Sequence, residues 1–447
     1  MKLRKYKERN NIVRVIIVFI ILCVFALSGV FLYNSFAVFT EEKNFNVING
    51  TIQDPGDIYF AYYVDGEITR SIPKQNTGYT LDTDKSNCTN GVIPEWDNAG
   101  WKFIGDYSNY KATDYTRTRC NLYFTKESTI KTALGNLIVN SYTPDFTKSA
   151  CDDETCESHE KGIFMAEDDD GTSYYYRGSV ENNYVKFAGY YWRIIRINGN
   201  GSIRMIYDGT STYDNGEVSK DRYYVNSQFN TNAGDNMYVG YMYTSGNAHG
   251  LDTNSIIKVA NDNFYTTKLT SYINYIDTNA GFCGDRSRLN SQTGGGTGKV
   301  STHYKGYLRV STSTPSLKCE NSSDYYTVSS SLSGNKSLVY PVGLITADEI
   351  LLAGMSGGHF DGGYNYQKSS INNYLAIGNG FWSITPAGYL NPFDDTFWTF
   401  IFVVDKTNYI DDNYTYSTFG IRPVINLKST LKFTGEGTKE NPFIPNI

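Results

Sequence analysis

Near its C-terminus the chain reads Tyr340-Pro341-Val342-Gly343-Leu344-Ile345-Thr346-Ala347-Asp348-Glu349-Ile350. This pattern predicts a buried strand that runs directly into a capped helix. Thr346 suits the N-cap, because its side chain can accept from the first helical turn while Glu349 reaches back to the cap N–H. Gly354 is the expected end of the helix, since glycine tolerates the left-handed backbone that follows many helices.

Two further apolar segments follow, and each predicts a strand. They read Phe381-Trp382-Ser383-Ile384-Thr385-Pro386 and Gly420-Ile421-Arg422-Pro423-Val424-Ile425-Asn426-Leu427. Each contains a proline, which cannot donate to a sheet, so each strand is expected at an edge or a bend. Trp382 and Arg422 are expected to be core and sheet-anchoring residues.

Composition predicts a predominantly β, α+β protein with more than one domain. The chain has 447 residues, of which 15% are aromatic, led by 39 Tyr, and only 19% are charged. A chain this long exceeds one ordinary core, and tyrosine with short polar residues favours half-buried sheets. The net charge is −6, of which the first fourteen residues carry +5 and the remainder −11. Without clustered cations outside that tail, nucleic acid is not an expected partner.

The N-terminal region predicts export. Val15–Leu32 is an apolar run long enough to cross a bilayer, and its cationic flank lies wholly on the N-terminal side. Residues 1–37 are therefore predicted to be a cytoplasmic basic tail and a transmembrane signal-anchor, with the remaining bulk of this single-pass protein outside the cell. Ser35-Phe36-Ala37 also has the form of a signal-peptidase site, so a leader cleaved near Ala37, which would release the protein, stays an alternative.

Cysteine usage agrees with an oxidising compartment, where disulfides persist. Cys23 lies in the apolar run. Six cysteines follow that run: Cys88, Cys120, Cys151, Cys156, Cys283 and Cys319. Sequential pairing is favoured, because each pair then falls within one apparent structural unit.

One segment near these cysteines could instead bind zinc. Cys151, Cys156 and His159 lie within nine residues, but their spacing and the exported setting favour a small disulfide loop. Glu167-Asp168-Asp169-Asp170-Gly171 lacks the full ligand pattern of a calcium loop and is interpreted as a solvated hairpin turn. No metal or other cofactor is expected.

Residues 44–125 are predicted to form a small immunoglobulin-like β-sandwich. Apolar residues alternate through Ile58–Val64, and Asp65-Gly66 predicts a type I′ hairpin turn before Glu67. Cys120–Phe124 is expected to be its last strand. Trp96 and Trp101 are expected to pack around a turn rather than to bind a ligand.

Residues 126–160 are predicted to be a helical linker followed by the disulfide loop. The helix is expected over Glu127–Asn140, where Ile130, Leu134, Leu137 and Ile138 fall on one face. A second helix is predicted over Thr267–Thr278.

Residues 174–207 are predicted to form several β-strands, because sequences typical of hairpin turns recur between them. Arg193, Arg196 and Arg204 alternate with isoleucine there, so they are expected on an exposed or interfacial face.

Residues 161–447 contain five segments that together resemble a known protein family. The segments are Tyr174–Asp208, Phe282–Ser287, Pro315–Cys319, Tyr340–Gly354 and Phe381–Leu427. These resemble an uncharacterised family of exported surface proteins from gut Firmicutes, which end in a Trp-x-x-(Ser/Thr)-Pro strand and a Gly-(Ile/Val)-Arg-Pro-Val strand. The resemblance implies a C-type-lectin-like domain with long loops, distantly similar to formylglycine-generating enzymes. Those enzymes use two late copper-binding cysteines, whereas this chain has none after Cys319, so their activity is not implied.

A shorter resemblance lies just after the apolar run. Ser35–Thr40 followed by Phe45–Ile52 resembles the start of matrix-fibre proteins of the TasA/camelysin type. It implies cleavage near Ala37 and a β-rich first domain.

The functional prediction is a non-catalytic binding or adhesion protein of the bacterial cell surface. Its partners would be the membrane, through the N-terminal helix, and a surface glycan, a host protein or a cell-wall polymer. The candidate ligand-binding residues lie in the loops of the C-terminal domain: Trp398, Asp394, Asp395, His359 and Asp361. The alternatives are an extracellular hydrolase of wall polymers, with Asp361, Asp394, Asp395 or Asp405 as catalytic carboxylates, and a structural matrix-fibre subunit.

Overall fold

A computed structural model describes most of the chain beyond residue 57. The described residues are 58–64, 66–74, 79–89, 95–97, 102–104, 118–126, 128–147, 150, 161–290, 295–329, 334–355, 359–360, 363–364, 372–391 and 396–447. The chain divides into two compact units, residues 1–60 with 88–120, and residues 61–87 with 121–447. Strands outnumber helices in the described residues, which confirms the predominantly β class.

In the first unit, Glu95–Asp97 pairs antiparallel with Lys102–Ile104, and residues 98–101 between them lie outside the described residues. The Cys88–Cys120 disulfide closes the same unit, as predicted from sequential pairing. Cys151 and Cys156 lie outside the described residues.

Four strands form an N-terminal sheet in the order Glu67–Thr69, Ile58–Val64, Thr118–Lys126, Tyr79–Cys88. Val64 pairs with Glu67, and Gly66 has φ 85°, which confirms the predicted hairpin. The left-handed backbone at Gly66 suits a two-residue turn, because glycine has no Cβ to clash there. The closing strand predicted at Cys120–Phe124 is also present. The sandwich as a whole stays a prediction.

The predicted helix over Glu127–Asn140 is wrong. Ser128–Thr132 pairs with Gly135–Val139 as a hairpin, with Ile130 opposite Leu137. Leu137 and Val139 are buried while Ile138 is exposed, which is the period of a strand. Both strands are rich in β-branched residues, and Gly135 with φ 105° provides the turn, so the apolar spacing matched a helix only by coincidence.

Two larger sheets form the core of the second unit. Sheet A has the order Val424–Leu427, Ile203–Gly209, Tyr190–Ile197, Gly171–Arg177, Gly162–Asp168, with Tyr184–Phe187 paired to Tyr190–Ile197. Sheet B has the order Val225–Gln228, Thr418–Ile421, Phe381–Leu390, Trp398–Val404, Ile410–Tyr414, with Thr302–His303 paired to Phe381–Leu390.

Arg422-Pro423 links the two large sheets. Thr418–Ile421 belongs to sheet B and Val424–Leu427 to sheet A, so the chain changes sheets at the proline. The other proline, Pro386, lies at an irregularity in the pairing of Phe381–Leu390 with Trp398–Val404. Both prolines therefore mark bends, as predicted, because neither can donate to a regular ladder.

Three α-helices are described in the second unit: Ile256–Lys268, Lys305–Ser311 and Ala347–Leu352. The last is capped by Thr346 and Glu349 in the predicted capping box, and Gly354 follows it with φ 92°. The helix predicted over Thr267–Thr278 is misplaced. The α-helix starts after Ser255, whose side chain caps it, and ends at Lys268 before a 3₁₀ segment over Thr270–Tyr275.

Short elements complete this unit. The 3₁₀ segments besides Thr270–Tyr275 are Lys220–Arg222, Asn236–Val239 and Ser322–Asp324. The two-residue strand pairs are Met242–Tyr243 with Thr253–Asn254, Phe282–Cys283 with Tyr325–Tyr326, His359–Phe360 with Gly363–Tyr364, and Phe433–Thr434 with Ile444–Pro445. The predicted Cys283–Cys319 disulfide is present, and it joins the strand Phe282–Cys283 to the loop that precedes Tyr325–Tyr326.

The predicted membrane span at Val15–Leu32 lies outside the described residues. Within the part of the chain that is described, no helix has the length and apolar character needed to cross a bilayer.

Candidate functional site

The structure describes only part of the predicted ligand-binding set. Trp398 begins the strand Trp398–Val404 of sheet B, and its side chain is half-buried. His359 begins the short strand His359–Phe360, where it pairs with Tyr364. Asp361, Asp394 and Asp395 lie outside the described residues, so their place in a site stays a prediction.

Trp398 belongs to a compact aromatic group with Tyr414 and Tyr416, which we name the aromatic cluster. Its ring centroid lies 6.3 Å from that of Tyr414 and 5.6 Å from that of Tyr416, with both tyrosine planes steeply inclined to the indole. The two tyrosine rings are 5.1 Å apart and nearly parallel, at 8°. The three centroids therefore form a near-equilateral triangle, with the indole beside the tyrosine pair.

Strand register brings these rings together. Trp398–Val404 runs antiparallel to Ile410–Tyr414, and Phe400 pairs with Tyr414. Because side chains two residues apart on a strand share a face, Trp398 lies on the same side as this pair, and Tyr416 reaches Trp398 from the turn that follows Ile410–Tyr414. Phe400 is 7% exposed and Tyr416 is 37% exposed, so this row of aromatic rings extends from the core to the surface.

Hydrogen bonds fix the turn that carries Tyr416. Gln228 donates its side-chain Nε2 to the Tyr416 carbonyl at 2.8 Å, and the Ser417 N–H donates to the Tyr414 carbonyl at 2.8 Å. Between the two tyrosines, the buried Thr415 hydroxyl lies 2.6 Å from that of Thr399. The cluster is therefore held in place before any ligand arrives, which reduces the ordering cost of binding.

The core beneath sheet B is anchored by the residues that the sequence assigned to it. Trp382 is fully buried and donates its indole N–H to the Ser227 carbonyl at 2.8 Å. Arg422 is also fully buried and donates to Asp208 at 2.7 Å and to the Tyr207 carbonyl at 3.0 Å. Both residues are structural, as predicted.

The predicted exposure of Arg193, Arg196 and Arg204 is wrong. They are 0%, 9% and 1% exposed. Arg193 donates to the Asn183 side chain at 2.7 Å and stacks on the Tyr184 ring at 3.7 Å. Alternation with isoleucine indicated one buried and one solvated face, but both faces of these strands are covered, so the guanidinium groups are buried and paired.

Arg196 and Arg204 hold the helix cap through Glu349. Arg196 Nε donates to Glu349 Oε1 at 2.9 Å, and Arg204 Nη2 donates to Oε2 at 3.2 Å. Burial opposes ionisation of Glu349, yet these two arginines and the Thr346 N–H more than offset it and lower its pKa. Arg196 Nη1 also donates to Asp168 at 2.7 Å.

Glu349 does not suit the role of a general acid. A catalytic acid needs a carboxyl group that is protonated near the working pH, and ion pairing keeps Glu349 ionised. Asp405, named in the hydrolase alternative, accepts from the Thr407 and Tyr409 backbone N–H groups and stabilises a turn. No group of three or more His, Cys, Asp or Glu in the described residues is placed to hold a metal ion.

No protein-family model, curated protein or solved structure matches this chain. The site therefore has to be interpreted from its own geometry. Sequence reasoning missed Tyr414 and Tyr416. Tyr416 lies in the turn beyond the strand Ile410–Tyr414, so the alternation of a strand could not have placed it beside Trp398.

Proposed function

We propose that the protein is a membrane-anchored, cell-surface binding protein whose aromatic cluster contacts the apolar face of a sugar in a glycan or wall polymer. The observation that carries the proposal is the preformed group of Trp398, Tyr414 and Tyr416 at the surface end of sheet B. Aromatic side chains offer a large apolar surface and a polar edge, and they lose little conformational freedom on binding.

The location of the protein is proposed from the sequence. The apolar run at Val15–Leu32 and its one-sided cationic flank support a signal-anchor, and the two disulfides suit an oxidising exterior. A cleaved leader would give a secreted form with the same binding domain.

Of the four carboxylates named for the hydrolase alternative, Asp405 stabilises a turn, and Asp361, Asp394 and Asp395 lie outside the described residues, so a hydrolase stays the alternative. The matrix-fibre alternative rests on the resemblance at Ser35–Thr40 and Phe45–Ile52, and no observation in the described residues adds to it.

The test is a glycan array and a cell-wall pull-down with the extracellular part of the protein. Trp398→Ala is expected to weaken binding at least about tenfold, because buried aromatic anchors commonly contribute more than about 1.4 kcal/mol. Tyr416→Ala is expected to act in the same direction. Tyr191→Ala, which removes a half-buried tyrosine from sheet A, is the matched control.

Blank arrays and pull-downs with folded protein would refute the proposal. Equal losses for Trp398→Ala and the Tyr191→Ala control would also refute it, because the effect would then be one of stability. Filaments that form with rising concentration, together with blank arrays, would favour the fibre-subunit alternative.

A further inference from the structure

A small polar pocket lies at the edge of sheet A, apart from the residues of the aromatic cluster. We name it the acidic pocket. The hairpin turn after the strand Gly162–Asp168 supplies Asp169 and Asp170, and Asp168 lies beside them. Asn198 lines the pocket from the next turn of the sheet, and Lys318 lines it from the loop tied by the Cys283–Cys319 disulfide.

Most charges in this pocket are already paired. Arg309 contacts both Asp348, at 2.8 Å, and Asp285, at 3.0 Å. Arg196 and Arg204 neutralise Asp168 and Glu349. These pairs account for three arginines and four carboxylates.

Two carboxylates remain, those of Asp169 and Asp170, against one cation, Lys318. The pocket lining as a whole thus has six acidic and four basic side chains, a net charge of −2. A net negative pocket favours a cationic ligand.

Two acceptors in the pocket lack partners. The half-buried Asp170 carboxylate makes no hydrogen bond or ion pair within the described part of the chain, although its backbone N–H donates to Asp168 at 2.9 Å. Asn198 is 5% exposed, and its buried Oδ1 accepts no hydrogen bond from any residue that the structure describes. Its Nδ2 donates to Ser202 Oγ at 2.8 Å and to Asn426 Oδ1 at 3.0 Å, which determines the orientation of the amide.

An unpartnered buried acceptor is costly, because the group has lost its hydrogen bonds to water. That cost falls on Asn198 Oδ1, whereas the half-buried Asp170 carboxylate is unfavourable for a different reason. Burial raises its pKa, and the neighbouring charges of Asp168 and Asp169 raise it further. A donor that carries positive charge would relieve both costs.

The size of the pocket and its ligand atoms select among cations. The space is on the scale of a single small group rather than of a sugar ring. Calcium prefers six to eight oxygen ligands, and the described acids here are not grouped for that. A primary ammonium group needs only about three acceptors, which matches its three N–H donors.

We propose that the acidic pocket binds a primary alkylammonium group, with the Asp170 carboxylate and Asn198 Oδ1 as its acceptors. The group can come from a lysine side chain or from an amine on a wall polymer. This site is independent of the aromatic cluster, so sugar binding and amine binding can fail separately.

The test is an NMR titration of the folded protein with n-butylammonium chloride, with n-butanol as the neutral analogue of similar shape. Shifts are expected at Asp170 and Asn198 with n-butylammonium and not with n-butanol. The affinity is expected to fall with added NaCl, because the attraction is electrostatic. Nα-acetyl-lysine amide and ethanolamine distinguish the peptide from the polymer source.

Asp170→Asn is expected to weaken n-butylammonium binding about tenfold or more, because hydrogen bonds to a charged group contribute about 1.5–3 kcal/mol. The fold should persist, since the Asp170 backbone hydrogen bond does not involve its side chain. Glu440→Gln removes the same charge from an exposed position outside the pocket and should leave binding unchanged.

Three results would overturn the assignment. The first is that no amine changes the NMR chemical shifts of Asp170 and Asn198. The second is that Asp170→Asn and Glu440→Gln weaken n-butylammonium binding equally. The third is that calcium chloride binds saturably while n-butylammonium does not bind.

Discussion

Replacing Asp208 by asparagine should strongly destabilise the second compact unit. Asp208 is fully buried between two arginines, accepting from Arg222 Nε at 2.9 Å and from Arg422 Nη2 at 2.7 Å. Arg193, a third buried arginine, pairs with amide and carbonyl oxygens instead of a carboxylate. The substitution keeps the shape of the side chain and removes the negative charge that both partners contact.

The expected cost is about 3–5 kcal/mol, the range for removing one partner of a buried ion pair. That is a large share of a typical unfolding free energy of about 5–15 kcal/mol. Urea unfolding of the purified protein, followed by tryptophan fluorescence, measures it. Asp214→Asn is the matched control, since Asp214 pairs with Lys439 at the surface, where their side chains are 73% and 33% exposed. It should cost under about 1 kcal/mol.

The double variant Asp208→Asn with Arg422→Met tests the same reasoning if the single variant does not fold. Methionine removes one uncompensated buried charge while keeping a similar volume, so the double variant should recover part of the lost stability. Either of two results would refute this reasoning. One is that Asp208→Asn lowers the free energy of unfolding no more than Asp214→Asn does. The other is that adding Arg422→Met to Asp208→Asn lowers it by as much again as Asp208→Asn alone.

Three other predictions concern stability. Arginine pairing lowers the folded-state pKa of Glu349, so its contribution to the free energy of unfolding is present above the unfolded pKa near 4.3 and is lost as the pH falls. In urea unfolding at several acidic pH values, the free energy of unfolding should therefore fall less steeply for Glu349→Gln than for the wild type. Replacing Cys283 and Cys319 with serine opens a loop with a sequence separation of 36 and should cost about 3–4 kcal/mol in the same assay, whereas no change would contradict the chain-entropy estimate. Gly354→Ala places a Cβ at φ 92° against the Ala150 side chain and should cost more than about 1 kcal/mol in thermal unfolding, whereas an unchanged Tm would contradict this.

Local patterns determined the features that the sequence predicted correctly. The capping box of Thr346 and Glu349, the turn at Gly66 and the bends at Pro386 and Pro423 each depend on a few neighbouring residues. Such features follow from backbone chemistry that is the same in any fold. The sequential pairing of Cys88–Cys120 and Cys283–Cys319 was predictable because each pair lies within one local unit.

Tertiary contacts decided the rest. The apolar spacing of residues 128–139 fits a helix or a hairpin, and the buried Val139 and Leu137 show that packing selected the hairpin. Whether Arg193 faces water or the core depends on what covers its strand, which alternation cannot tell. Trp398 meets Tyr414 because strand register places both on one face, and the turn after Tyr414 brings Tyr416 to the same place. The sequence alone thus determined the turn at Gly66, the helix cap at Thr346 and the bends at two prolines, because each depends on local backbone chemistry. The fold decided which polar groups are buried away from water and which aromatic rings meet at the surface.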